Sequence, residues 1–169
     1  MGILTGNPQD NPLHYGEVFS LWSSLSVTKA GLDVYQIYIN HTGDKDLKKF
    51  LKHVIDNTMK PAINELEEIL LQNDIVVPPT PAERPVADIE QIPVGARLQD
   101  VQIAYLVSAD IAAGLASCSV AISQSIREDV GLFFAQLSAK KAKDGATLLQ
   151  LMKDNGWLVT PPLLHETKQ

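Results

Sequence analysis

The sequence predicts an all-α fold, a single four-helix bundle over residues 1–169 assembled from two helical hairpins. Three observations carry this. Four long segments place apolar residues at spacings of three and four, and no stretch of useful length alternates as a strand would. Residues 74–98 hold Pro78, Pro79, Pro81, Pro85 and Pro93, a density that forbids regular helix and favours extended chain. The two halves also align at an offset of 82 residues, apolar on apolar, so that each half reads as one hairpin with a proline-containing exit.

The elements follow in order. Pro12 can open the first helix. Val18, Leu21, Trp22, Leu25, Leu32, Tyr35 and Ile39 then form one apolar stripe, with Trp22 expected in the core, until Asn40-His41-Thr42-Gly43 breaks it. Asp44 is a good N-cap for the second helix, and Asp46 puts negative charge in its first turn. Leu47, Leu51, Val54, Thr58, Ala62, Leu66 and Ile69 carry that helix to about residue 72, completing the first hairpin over about 12–73. Pro61 lies inside it and predicts a kink, because an interior proline removes a hydrogen bond at a cost of about 3 kcal/mol.

The stretch 74–98 is long enough, as extended chain, to run the length of a helix, and predicts an end-to-end crossover. The second hairpin occupies about 99–156. Its first helix is apolar nearly all round, from Val101 to Ile122, and predicts burial on several sides. Its second helix starts near Arg127-Glu128-Asp129 and ends at Asn155-Gly156, with Gly156 at C′. The repeat lays residues 73–79 on residues 155–161, matching the helix ends as well as the stripes. Two hairpins joined by a long crossover have ferritin-like connectivity.

Composition narrows the function. The chain has 20 acidic and 14 basic residues and a net charge of −6, which gives no electrostatic footprint for nucleic acid. Lys45, Lys48, Lys49 and Lys52 read as a solvated face. The single cysteine excludes an internal disulfide framework. The start of the chain lacks the basic and apolar regions of a signal peptide, and the apolar stretch around Asp110 reads as a core helix rather than a membrane span. These features fit a cytoplasmic protein. The residues after Pro161 read as a polar, mobile tail.

Metal chemistry in a bundle needs its ligands at fixed positions on facing helices. A di-iron bundle requires a Glu on two helices and a Glu-x-x-His on the other two, because i and i+3 share a face. Phe50 stands three before His53, the third helix has no Glu, and the fourth has no His. There is no glycine-rich phosphate loop, His-Glu-x-x-His or Cys-x-x-Cys. No catalytic, cofactor-binding or metal residue is assigned, and the chain reads as a non-enzyme. Cys118, within the apolar helix, reads as an inert buried thiol, and Trp157 as a cap residue.

Asp110 is the one unexplained charge. Inside the core it would need a partner, because an unpaired buried charge costs several kcal/mol. Counting levels from the turns of an antiparallel bundle brings Lys29, His53 or Asp56, Asp110 and Lys140 to one height. They would form a polar core site for a metal or small ligand, the alternative to a purely structural protein. The simpler reading pairs Asp110 with one lysine or turns it to solvent. The apolarity of the third helix exceeds what one core can cover, and predicts a homodimer through that helix or another bundle face.

The tandem hairpin, its two exits and the opening Leu13-His14-Tyr15-Gly16-Glu17-Val18 resemble the domain of unknown function family 3231 of spore-forming bacilli. That family is similar to spore coat protein F and is placed with ferritin-like bundles. The resemblance covers nearly the whole chain. It implies a coat-associated or sporulation-related protein, with coat proteins as partners, and brings no catalytic residues.

Overall fold

The computed structural model describes residues 11–162 and Leu164. The expectation of a mobile tail falls mainly on residues outside these. Helix α1 spans Tyr15–His41, α2 Lys45–Val54, α3 Lys60–Gln72, α4 Asp100–Gln124 and α5 Glu128–Asp154. A single π-helical turn, Ile55–Met59, joins α2 to α3 in one continuous rod. No strand occurs among the described residues. The fold is a four-helix bundle of ferritin-like connectivity: α1 pairs with α2/α3, α4 pairs with α5, and a proline-rich crossover joins the hairpins.

The kink expected at Pro61 takes the form of that π turn. A proline in an α-helix clashes with the carbonyl four residues back. The wider π turn ends at Met59, so α3 restarts at Lys60 with Pro61 in its first turn, where its missing N–H is one of the free ends. The turn also rotates the rod, and Ile55, Thr58, Met59, Ala62 and Ile63 all face inward.

Three anchors fix the bundle ends. At the top, the Thr42 hydroxyl donates to Asp100 Oδ1 (2.5 Å) and Gly43 N–H to the same oxygen (3.2 Å), tying the α1–α2 turn to the start of α4. At the base, Glu17 is fully buried, and its carboxylate accepts from the backbone N–H of His14, Ile126 and Arg127. Arg127 in turn donates to Asn73 Oδ1 (2.9 Å) and to Asp129, whose carboxyl it holds below the usual range. One carboxylate and one guanidinium therefore join the start of α1, the end of α3 and the start of α5. The two hairpins leave their last helices through the same cap. Asp74 and Gly156 both have positive φ, Asn73 and Asn155 both bond back to the carbonyl four residues earlier, and Ile75 N–H and Trp157 N–H reach Leu70 O and Met152 O.

The crossover climbs α1 from base to top. Trp22 Nε1 donates to Val76 O, Lys29 Nζ to Pro78 O, Arg84 to Asp33, Gln36 accepts from Arg84 N–H, Asn40 bonds Pro85 and Ala87, and His41 accepts from Leu98 N–H. Two 3-10 turns, Ile89–Gln91 and Val94–Ala96, complete the climb. Trp22 is thereby drawn out of the expected core and lies partly exposed beneath the crossover.

The apolar core divides at mid-height. Leu47, Leu51, Ile103, Val107 and Leu148 belong to an upper cluster, and Leu21, Leu25, Leu66, Phe134 and Leu137 to a lower one. Between them lies a polar bond: Thr58 Oγ1 donates to Asp144 Oδ2 at 2.7 Å, both groups buried.

Candidate functional site

The expected polar cluster does not assemble. Lys29 is buried, but it faces α3 and the crossover, with its ammonium on Glu67 Oε1 (2.6 Å) and Pro78 O (2.5 Å). His53 is exposed and bonds Asn57. Asp56 is exposed and pairs with Lys60 one turn on. Lys140 is exposed on α5. Asp110 lies at the surface of α4, where it accepts from the Tyr35 hydroxyl at 2.9 Å. Level-counting placed these residues at comparable heights, but helix phase decides direction. Four of the five therefore point away from Asp110, Lys29 toward α3 and the crossover and His53, Asp56 and Lys140 toward solvent.

What lies around Asp110 instead is an open cleft between α1 and α4, about 500 Å³ in volume. Its walls come from Ser20, Ser23, Ser24 and Val27 on α1 and from Ala113, Gly114, Ser117 and Val120 on α4. The small side chains do not fill the space between the two helices, and the seam stays open along its middle. The floor holds Cys118, Met59 and the Thr58–Asp144 pair. The Lys141 chain folds over Gly114 from α5, and a Cβ there would lie 2.7 Å from its Nζ, so a larger residue would turn the lysine aside.

The chemistry of the cleft is quiet. Burial pushes the Cys118 thiol up, with Lys141 opposing more weakly, so the thiolate is disfavoured. Burial, then the nearby Asp110 carboxylate, raises the Tyr35 hydroxyl well above its ordinary value, which keeps it a donor. Among the described residues no three His, Cys, Asp or Glu side chains come together to hold a metal.

The cleft is one part of a wider, sparsely charged face. Tyr15 is 95% exposed, Phe19 73%, Val27 65% and Val120 54%. The third predicted helix was expected to be buried on several sides. In the structure only the Ile103, Ala104, Val107, Ile111, Cys118, Ala121 side of α4 is buried. The stretch Val94–Gln124 has the length and composition of a spanning helix, yet only 22% of its most apolar window is buried inside the bundle.

Three buried groups escaped the reading of the sequence: Glu17, Thr58 as a donor, and Asp144. Each had a signal. Glu17 continues the Leu21, Leu25 ladder at intervals of four, and Asp144 fills the gap in the stripe between Leu137 and Leu148. A charge within an apolar stripe marks a buried charge as readily as a break in the helix.

The fold, the base anchors and the layout of the hairpins define a ferritin-like bundle without a metal constellation among its described residues, and the family model for proteins of unknown function numbered DUF3231 matches residues 1–169. The chain belongs to this family. It is 47% identical over 163 residues to the uncharacterized protein YvdQ of Bacillus subtilis (strain 168), covering 96% of this chain and 95% of the relative. It is also similar to the crystal structure of a "putative spore coat protein" from Bacillus halodurans C-125. There the TM-score is 0.92 and the identity 48%, covering 95% of this chain and all of that one. The opening segment that carried the family resemblance belongs to the base anchors: His14 caps α1 through Gly16 N–H and contacts Gln124 O, and Glu17 caps the turn into α5.

Proposed function

We propose that the chain is a non-catalytic structural component of the spore coat, a bundle that offers a docking face rather than an active site. The observation that supports this most directly is the sparsely charged α1–α4 face, which exposes Phe19, Val27 and Val120 beside the cleft. Exposed contiguous apolar surface marks an interaction site in a water-soluble bundle. The similarity to the Bacillus halodurans protein supports the coat as the place where that face is used. Buried polar residues serve the fold: Glu17, Lys29 and Arg127 each join separate segments. Other coat proteins and further copies of this chain are the partners this reading implies.

The test is localisation. A fluorescent fusion produced in sporulating Bacillus subtilis is expected to form a ring at the spore surface and to leave with the coat fraction on alkaline detergent extraction. Signal spread evenly through the cytosol, absent from extracted coats, overturns the reading.

A further inference from the structure

We propose that the floor of the α1–α4 cleft is a binding site for a primary alkylammonium ion, its head group on Asp144 and its chain along the apolar walls. This goes beyond the docking face. It concerns the interior of the cleft, and stands or falls whether or not a partner covers the rim.

The site begins with a buried charge. Asp144 is 4% exposed and lines the cleft from α5. One carboxylate oxygen, Oδ2, accepts from Thr58 Oγ1 at 2.7 Å. The other, Oδ1, has no hydrogen-bond partner among the described residues and is not sealed from solvent, so it opens on the cleft. None of the ion pairs among the described residues includes Asp144. Lys141, one turn earlier on α5, lays its chain across Gly114 of α4 instead. A carboxylate taken out of water without a counter-charge is costly, and a cation beside it recovers part of that cost.

The surroundings narrow the cation. Among the described residues no three His, Cys, Asp or Glu come together, which leaves a metal ion too few ligands. A guanidinium is suited to both oxygens of a carboxylate, and Thr58 already holds one of them. An ammonium needs only one. Its N–H donors find Asp144 Oδ1 and the lone pairs that Thr58 Oγ1, itself a donor to Asp144, leaves free. Asp110, bonded to the Tyr35 hydroxyl, adds a second carboxylate, so the cleft holds two against the one ammonium of Lys141. Lys141 is only partly buried and stays open to water, whereas Asp144 is not, so the unmet charge in the cleft is negative.

The walls suit a hydrocarbon chain. Val27 on α1, Met59 on the π turn, and Ile111 and Val120 on α4 line them. Ser23 Oγ, Thr28 Oγ1 and Ser117 Oγ donate to carbonyls of their own helices, so these hydroxyls keep their bonds when an apolar chain displaces water. The volume, about 500 Å³, lies within the roughly 300–1,000 Å³ of small-molecule sites.

The test uses the full chain and three probes of one length: hexylammonium, hexanol and hexanoate. In calorimetric titration hexylammonium is expected to saturate a single site below about 10 mM, and the other two to bind at least about tenfold more weakly. With methyl-labelled methionine, hexylammonium is expected to shift the Met59 resonance and leave Met152, which lies in the upper core away from the cleft, in place. Asp144→Asn keeps the shape and an acceptor for Thr58, and is expected to weaken hexylammonium at least about tenfold at unchanged helical content. Absence of saturation overturns the proposal. Hexanol bound within tenfold of hexylammonium shows an apolar cleft without charge selection, and hexanoate bound that well shows a site governed by Lys141; either overturns it. So does a titration that leaves Met59 unmoved, or a folded Asp144→Asn protein that binds as the native chain does. The probe measurements on the native chain decide the matter even if Asp144→Asn fails to fold, and none of these outcomes bears on localisation to the coat.

Discussion

Two halves of one bundle treat water differently. Across the 52 residues of α1 and α4 there are five charged side chains, Glu17, Lys29, Asp33, Asp100 and Asp110. Across the 55 residues of α2, the π turn, α3 and α5 there are eighteen. Of the five, Glu17 is buried at the base, Asp100 caps the upper turn, and Lys29 and Asp33 face the crossover. Only Asp110 remains on the α1–α4 face. The α2–α5 side keeps exposed lysines and carboxylates at helical intervals, including the Asp56–Lys60 pair. Such charges contribute little to stability, but they keep that side solvated. The contrast teaches that helix composition and helix role diverge here: α1 and α4 hold the most apolar surface, and part of it stays outside the core.

The comparison can be broken at the few charges that α1 does hold. The largest effect is expected for Glu17→Ala. It strands three backbone N–H groups around a buried site and is expected to cost about 3 kcal/mol, read as a drop in the urea midpoint at constant slope. Next comes Lys29→Met. It keeps the buried stem and removes the ammonium from Glu67 and Pro78 O, and because Glu67 is partly exposed the expected cost is about 2 kcal/mol. Faster proteolysis within residues 74–98 would show that the crossover has loosened.

The acid side gives a smaller effect. Asp129 has its carboxyl held low, first by the hydrogen bond from Arg127. A depressed folded value means that its contribution is complete above the ordinary carboxylate range near 3.9 and is lost as pH falls through the lower folded value. Solvent reaches the pair, so the contribution is under about 1 kcal/mol. Asp129→Asn is expected to lower the denaturation midpoint at neutral and alkaline pH by that small amount and to leave it unchanged at the acid end, so that the acid-side loss shrinks across a pH series. The smallest effect on folding is expected for Val27→Lys. The site is exposed, so stability moves by less than about 0.5 kcal/mol, while the docking proposed for the α1–α4 face is expected to weaken. A matching Lys49→Ser on the charged side is expected to change neither; an equal effect of both on association would erase the distinction between the two sides.

Helix number, the caps at Asp44 and Gly156, and the crossover length were all legible in the sequence, because helical periodicity and capping are local: they depend on residues within a turn of one another. Burial of the Cys118 thiol could be read the same way. Direction could not. Lys29 lies on an apolar stretch of α1, yet only the path of the crossover and the phase reset of the π turn decide that it meets Glu67 and Pro78 rather than α4. Asp144 likewise looks like one more polar residue among lysines until Thr58, 86 positions earlier, is brought against it. The α4 helix is the clearest case. A segment apolar on every side has no periodicity to say which side faces inward, so its sequence set how much surface it would hide. Packing against α5, and the open seam that the small residues leave unfilled beside α1, decided which part of that surface stayed exposed.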